Sequence, residues 1–226
     1  MAELTKLDGP RLEPASGTAK QLVVFLHGYG ADGRDLIDIG RAWQQLLPDA
    51  AFVSPHAPEA CAQAPVGRQW FGLTFRDPSE RWRGVTTAGP ILDQFLDEEL
   101  GRRNLPGNKL ALVGFSQGTM MSLHVGLRRA VAPAAIVGYS GMLTVPNDGP
   151  ADTMAGEIKS KPPVLLVHGD SDEVIPVQAL LIASQGLAAL NVPVQWHVSP
   201  GVGHGIDQEG LRQGGEFLAK AFRASV

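Results

Sequence analysis

Cysteine is almost absent: Cys61 is the single one in 226 residues. One thiol cannot close a disulfide within the chain, nor supply a four-cysteine zinc site. Its expected state is a small buried group. An excess of positive charge is missing as well. Lys and Arg number 19 against 23 Asp and Glu, a net charge of −4, and no basic run occurs. That balance is poorly suited to gripping a phosphate backbone, so no nucleic-acid partner is expected. Long hydrophobic runs are lacking too: the apolar stretches are broken by polar residues, Gly or Pro well short of the ~18 residues a membrane span needs. The opening MAELTKLDGPRLEP mixes acids, a base and prolines where a signal peptide would have an apolar segment. No integral membrane segment is expected, and the default location is cytoplasmic. Repeats and low-complexity blocks are also absent.

What the chain does have is a hydrophobic fraction of 44%, enough for one sizeable core. A single domain over 1–226 is expected, with 1–19 as an N-terminal extension. Short, solidly apolar runs at Gln21–Leu26, Ala51–Val53, Lys109–Val113, Ala135–Gly138, Pro163–Val167 and Val194–Val198 suit strands buried on both faces of a parallel sheet. Between them lie helix-like segments at Asp35–Leu47, Ile91–Arg102, Gln117–Arg129, Val177–Leu190 and Gln208–Arg223. This alternation predicts an α/β fold, a mostly parallel sheet with helices on both faces. Residues 55–90, rich in Pro, Gly, Arg and aromatics, have no clean period and read as an irregular loop near the site.

Gly114-Phe115-Ser116-Gln117-Gly118 follows an apolar strand and precedes a helix-like segment. That is the setting of a G-x-S-x-G nucleophile elbow, in which the turn pushes the serine oxygen out over the sheet. The alternative is that Ser116 only caps the helix. The elbow also leaves the N–H of Gln117 at a helix N-terminus, where developing negative charge is stabilised. A nucleophilic serine needs a base, and the base needs an acid. Downstream, VLLVHGDSDEVIP offers two acids, Asp170 and Asp172, and VQWHVSPGVGHG places His204 between two glycines. Both loops follow strands, where open α/β sheets carry their sites. His27 and His168 read as local packing or hydrogen-bonding groups. No histidine pair has metal-ligand spacing, so no metal is implied.

The loop after the first apolar run, Leu26-His27-Gly28-Tyr29-Gly30, keeps its backbone open for the Tyr29 N–H to serve as a second oxyanion donor. The same loop also contains Gly28-x-Gly30-x-x-Gly33, a dinucleotide fingerprint. It leaves a nucleotide-binding module as the competing reading, although the next strand ends AFVSPHAP without the acid that would hold a ribose.

Taken in order, LHGYGADGRDL, Trp70-Phe71, GFSQG, HGDSDEVIP and GVGHGI resemble the carboxylesterase/acyl-protein thioesterase family, also labelled phospholipase/carboxylesterase, of the α/β-hydrolases. The resemblance covers roughly residues 20–222. It implies an α/β-hydrolase fold with about seven strands and no large cap domain. It implies Ser116 as nucleophile, His204 as base and Asp172 as the acid, with Asp170 at a neighbouring structural position. Tyr29 and Gln117 match the backbone oxyanion donors, and the family commonly has Leu where Tyr29 stands. The implied substrate is a small-molecule ester or acyl thioester, with no cofactor. The family contains enzymes for small acyl esters and for fatty acyl thioesters or lysophospholipids; of these a carboxylesterase of short to medium acyl esters is the expectation, acyl-protein thioesterase or lysophospholipase the alternative. Trp70, Phe71, Leu73, Phe75, Met142 and Leu143 are candidates to line an acyl groove. Aromatics in the 70–82 stretch, if exposed, would mark a dimer patch or a lipid-facing rim, so a homodimer is a further possibility.

Overall fold

The structure, a computed structural model, describes residues 4–61, 63–74, 77 and 79–224. Its elements run β1 (Arg11–Leu12), β2 (Gln21–Leu26), α1 (Arg34–Trp43), β3 (Ala50–Val53), β4 (Glu59–Ala60), β5 (Arg68–Gln69), α2 (Glu80–Arg103), β6 (Leu110–Phe115), α3 (Gln117–Gly126), β7 (Ala135–Tyr139), β8 (Val164–Gly169), α4 (Gln178–Ala189), β9 (Val194–Ser199) and α5 (Gln208–Ala224). Seven strands form one sheet in the order β1-β3-β2-β6-β7-β8-β9, parallel except for β1. β4 and β5 form a separate small hairpin-like pair.

The apolar runs are strands because both of their faces are covered. In β2, Leu22, Val24 and Leu26 point into a core shared with Leu92 and Leu96 of α2, Met121 of α3 and Leu187 of α4. Val23 and Phe25 point the other way, against Trp43 of α1 and Leu218 and Phe222 of α5. Side chains alternate along a strand, so each run feeds two helix layers. The order of the sheet places β6 centrally, with its C-terminal end beside those of β2 and β7.

Two expectations are corrected. Residues 1–19 are not merely an extension: β1 pairs antiparallel with β3, and Leu7 is buried in the core. Arg11 further ties this segment to α2 through the fully buried Glu99, 2.8 Å away. The irregular stretch 55–90 is also shorter than expected. α2 begins at Glu80 and runs straight through Pro90. Proline inside a helix forfeits the bond to the carbonyl four residues earlier. Here the turn before it buries Val85 and Ala88, and that burial outweighs one lost hydrogen bond.

α2 packs on α3 at His124, whose ring meets Trp82 edge-on at 5.5 Å. Burial, with Arg128 nearby, pushes the His124 pKa down to about 3. The folded state therefore holds the ring neutral, while the unfolded chain takes up a proton near pH 6.5. Its contribution to stability is complete above that pH and declines as pH falls towards about 3. We expect His124→Gln to flatten the acid limb of the stability curve, by on the order of 1.4 kcal/mol per pH unit between pH 6 and 4. Denaturant titrations at several pH values check this; parallel curves for variant and wild type would refute it.

Candidate active site

Ser116 stands between β6 and α3 with φ 54° and ψ −116°. A non-glycine residue there is strained, and surrounding contacts hold it. Its N–H donates to the Tyr139 carbonyl at 2.9 Å, and its own carbonyl accepts from Thr119. The tightness of the turn depends on Gly118: a Cβ there would lie 1.7 Å from the Leu26 carbonyl oxygen. The Ser116 side chain does not cap α3, which removes the capping alternative. Among the described residues its hydroxyl has no hydrogen-bond partner, an arrangement compatible with a nucleophile–base contact that tightens only when substrate is present.

The two acids after β8 do different things. Asp170 is exposed and braces the neighbouring loop, accepting from the N–H of Gly201 at 2.7 Å. Asp172 has a fully buried side chain and lies with Oδ2 2.7 Å from Nδ1 of His204. Its Oδ1 accepts from the N–H groups of Val174 and Ile175, both at 2.9 Å. Burial alone would raise the Asp172 pKa, but the His204 contact and the two backbone donors hold it below the ordinary carboxylate range. His204 comes from the loop after β9. Its ring rests on Phe115, the residue before Ser116, with centroids 5.0 Å apart. Ser140 Oγ, donating to the Gly205 carbonyl at 3.1 Å, ties that loop to the end of β7. Ser116, Asp172 and His204 thus all follow the C-terminal ends of parallel strands, β6, β8 and β9.

The pattern of the phospholipase/carboxylesterase family matches residues 7–222. The chain belongs to this family. As a phospholipase/carboxylesterase-family hydrolase of the esterase/thioesterase kind, it resembles the crystal structure of esterase PE8 with TM-score 0.90 and 44% identity, covering 96% of this chain and 99% of that one. It is 27% identical to acyl-protein thioesterase 1 of Gibberella zeae, over 93% of this chain and 94% of that protein. The Bacillus cereus carboxylesterase shares the fold at TM-score 0.78 with 17% identity, covering 96% of this chain and 95% of that one. Among the described residues of this family member, no helix is long and apolar enough to cross a membrane.

Gly28 touches the elbow: a Cβ built on it would lie 3.3 Å from Cβ of Ser116. That contact brings the next peptide, with the Tyr29 N–H, alongside the serine. Neither the Tyr29 N–H nor the Gln117 N–H donates to an acceptor among the described residues. The fingerprint Gly28-x-Gly30-x-x-Gly33 has a different fate. At the start of α1, Asp35 accepts from the Asp32 N–H and Asp32 from the Arg34 N–H, both at 2.6 Å. Carboxylates occupy the position where a dinucleotide would need its pyrophosphate, and like charge there is repulsive. The nucleotide-binding alternative is thereby disfavoured.

The candidate acyl-groove residues divide. Trp70, Phe71 and Leu73 are buried among the core residues on the α2 side, so they are structural packing and not an open lining. Trp70 also donates its indole N–H to the His27 carbonyl at 3.0 Å. With Trp82 half-buried and packed on the same core, the expected exposed aromatic rim over 70–82 is not present among the described residues. Met142 and Leu143 remain half-buried; Met142 follows Gly141, where a Cβ would lie 2.9 Å from the Ser116 carbonyl oxygen, and Leu143 packs against Gly186 of α4. Phe75 lies outside the described residues.

One functional contact escaped the sequence. The Gln117 side chain accepts from the Trp70 N–H at 2.9 Å and donates to the Phe71 carbonyl at 2.8 Å. An amide has one acceptor and one donor end, so it reads as a clamp between elbow and loop. No local pattern announces it, because its partners lie 47 and 46 residues away. Gln117→Leu is expected to destabilise the fold by about 2–4 kcal/mol, by leaving two buried backbone groups unpaired. Urea unfolding measures it, and a change below about 0.5 kcal/mol would refute the clamp.

Proposed function

We propose that this chain hydrolyses carboxylic esters through an acyl-enzyme, with Ser116 as nucleophile, His204 as base and Asp172 orienting His204. The observation that carries the reading is the buried Asp172 carboxylate 2.7 Å from His204 Nδ1, beside an elbow serine that caps nothing. Ser116 Oγ attacks the acyl carbon while His204 Nε2 takes its proton. Asp172 keeps the other ring proton on Nδ1 and stabilises the imidazolium. The Tyr29 and Gln117 N–H groups donate hydrogen bonds to the acyl oxygen as negative charge develops on it. His204 then returns its proton to the departing alcohol. In the second half it activates water, which releases the acid.

Short to medium acyl groups suit the site best. Trp70, Phe71 and Leu73 are packed into the core, which leaves the half-buried Met142 and Leu143 as the candidate apolar contacts for a short acyl group. The likeness to acyl-protein thioesterase 1 of Gibberella zeae keeps thioester cleavage as the second reading. Rates on p-nitrophenyl butyrate, p-nitrophenyl palmitate and an acyl thioester test both. Preference for the butyrate over the palmitate ester supports the short-acyl esterase; preference for the thioester supports the second reading, and preference for the palmitate ester overturns the short-acyl assignment. No turnover of any of them would overturn the reading.

A further inference from the structure

His27 is completely buried and takes no part in the steps above. Both of its ring nitrogens are nonetheless engaged. Nε2 accepts from the Ala57 N–H at 3.0 Å. Nδ1 lies 2.8 Å from the Gly28 carbonyl oxygen. A carbonyl only accepts and an N–H only donates, so these two partners place the ring proton on Nδ1. Burial pushes the His27 pKa below its ordinary value, which keeps the ring neutral with that tautomer fixed.

The Gly28 carbonyl and the Tyr29 N–H belong to one peptide plane. No peptide bond among the described residues is cis, and in a trans peptide C=O and N–H point in opposite directions. A ring that draws the Gly28 oxygen to one side therefore turns the Tyr29 N–H to the other. Two further bonds brace the same stretch: the Ala31 N–H to the Gly28 carbonyl at 3.3 Å, and the Trp70 indole to the His27 carbonyl. Gly28 itself abuts Ser116, and the Tyr29 N–H is left without an acceptor among the described residues.

We infer that His27 is a positioning residue: anchored on the Ala57 N–H, its Nδ1–H sets the Gly28–Tyr29 peptide so that the Tyr29 N–H faces the developing oxyanion. This rests on the proposed role of Tyr29 in ester hydrolysis. Two substitutions separate positioning from packing. In His27→Asn the amide NH₂ occupies the Nδ1 position, so the donor to Gly28 is kept and the acceptor for Ala57 is lost. In His27→Gln the amide oxygen reaches the Nε2 position, so the acceptor is kept and the donor is lost. Removing an oxyanion donor outright typically lowers kcat by about 10²–10³-fold. His27→Gln, which misdirects one, is expected to lower kcat by roughly 10–100-fold with KM nearly unchanged, and to weaken inhibition by an alkylboronic acid similarly. His27→Asn is expected to stay within about threefold of wild type in both.

Equal kcat in the two variants, or a larger loss in Asn than in Gln, would overturn the inference. Should either variant fail to fold, ¹⁵N spectra of histidine-labelled wild-type protein decide instead: an Nδ1-protonated His27 is expected, and an Nε2-protonated ring overturns it. Ser116→Ala run alongside keeps the two readings apart. Turnover surviving in Ser116→Ala defeats the hydrolase reading itself. Turnover lost there but intact in His27→Gln defeats only the role of His27.

Discussion

Ser116→Ala is expected to lower ester turnover by roughly 10³- to 10⁶-fold, the range seen when an acyl-transfer nucleophile is removed. The structure makes this a clean experiment. The hydroxyl caps no helix and has no hydrogen-bond partner among the described residues, so its loss orphans nothing. Alanine keeps the Cβ, and the strained backbone is held by the Ser116–Tyr139 bond and by the packing of Gly118 under Leu26, neither of which uses the hydroxyl. Stability should therefore change by less than about 1 kcal/mol. Turnover and thermal unfolding of the same preparation check both halves. A variant that retains more than a tenth of the activity while staying folded would remove Ser116 from the chemistry.

Asp172→Asn is expected to cost nearly as much, about 10⁴-fold in kcat, while leaving the fold in place. The two backbone donors on Oδ1 decide which way the new amide faces. Val174 and Ile175 each offer an N–H at 2.9 Å, so the amide oxygen must stay with them. The NH₂ group then takes the position of Oδ2, facing His204 Nδ1 at 2.7 Å. A donor placed there forces Nδ1 to accept, which moves the ring proton to Nε2, the nitrogen that must take the serine proton. His168 sharpens the effect. Its Nε2 sits 2.7 Å from the Ile175 carbonyl, so it carries a proton, and it lies 3.2 Å from the same Asp172 oxygen. The variant thus sets two donors against each other in a buried spot, adding a stability loss of about 1–3 kcal/mol. Pre-steady-state acylation rates and urea unfolding read the two effects separately. An acylation rate within tenfold of wild type would show that His204 does not depend on Asp172.

The sequence also suggests a local packing or hydrogen-bonding role for His168, just past a strand. The structure places it inside β8, and the carbonyl and carboxylate it meets come from the loop seven and four residues on, where no periodicity applies. Likewise, nothing local separates Asp170 from Asp172, two residues apart in one loop. Their difference is one of direction: one side chain turns out to brace Gly201, the other turns in towards His204.

The layers of this fold and the order of its candidate site residues were legible in the residue pattern. Solidly apolar runs need two covered faces, and that dictates a parallel sheet between helices. A small-residue elbow between strand and helix dictates where a serine is lifted clear. These are short-range constraints, carried by neighbouring residues. The remainder came from contacts between residues far apart in the chain. The course of α2 through Pro90 depends on burying Val85 and Ala88 against residues distant in the chain. The inward burial of Trp70, Phe71 and Leu73 depends on the Gln117 clamp. The direction of the Tyr29 N–H depends on a histidine ring anchored 30 residues away, at Ala57. Each is a choice between alternatives of similar local energy, settled by a few directional contacts that exist only once the chain has closed on itself.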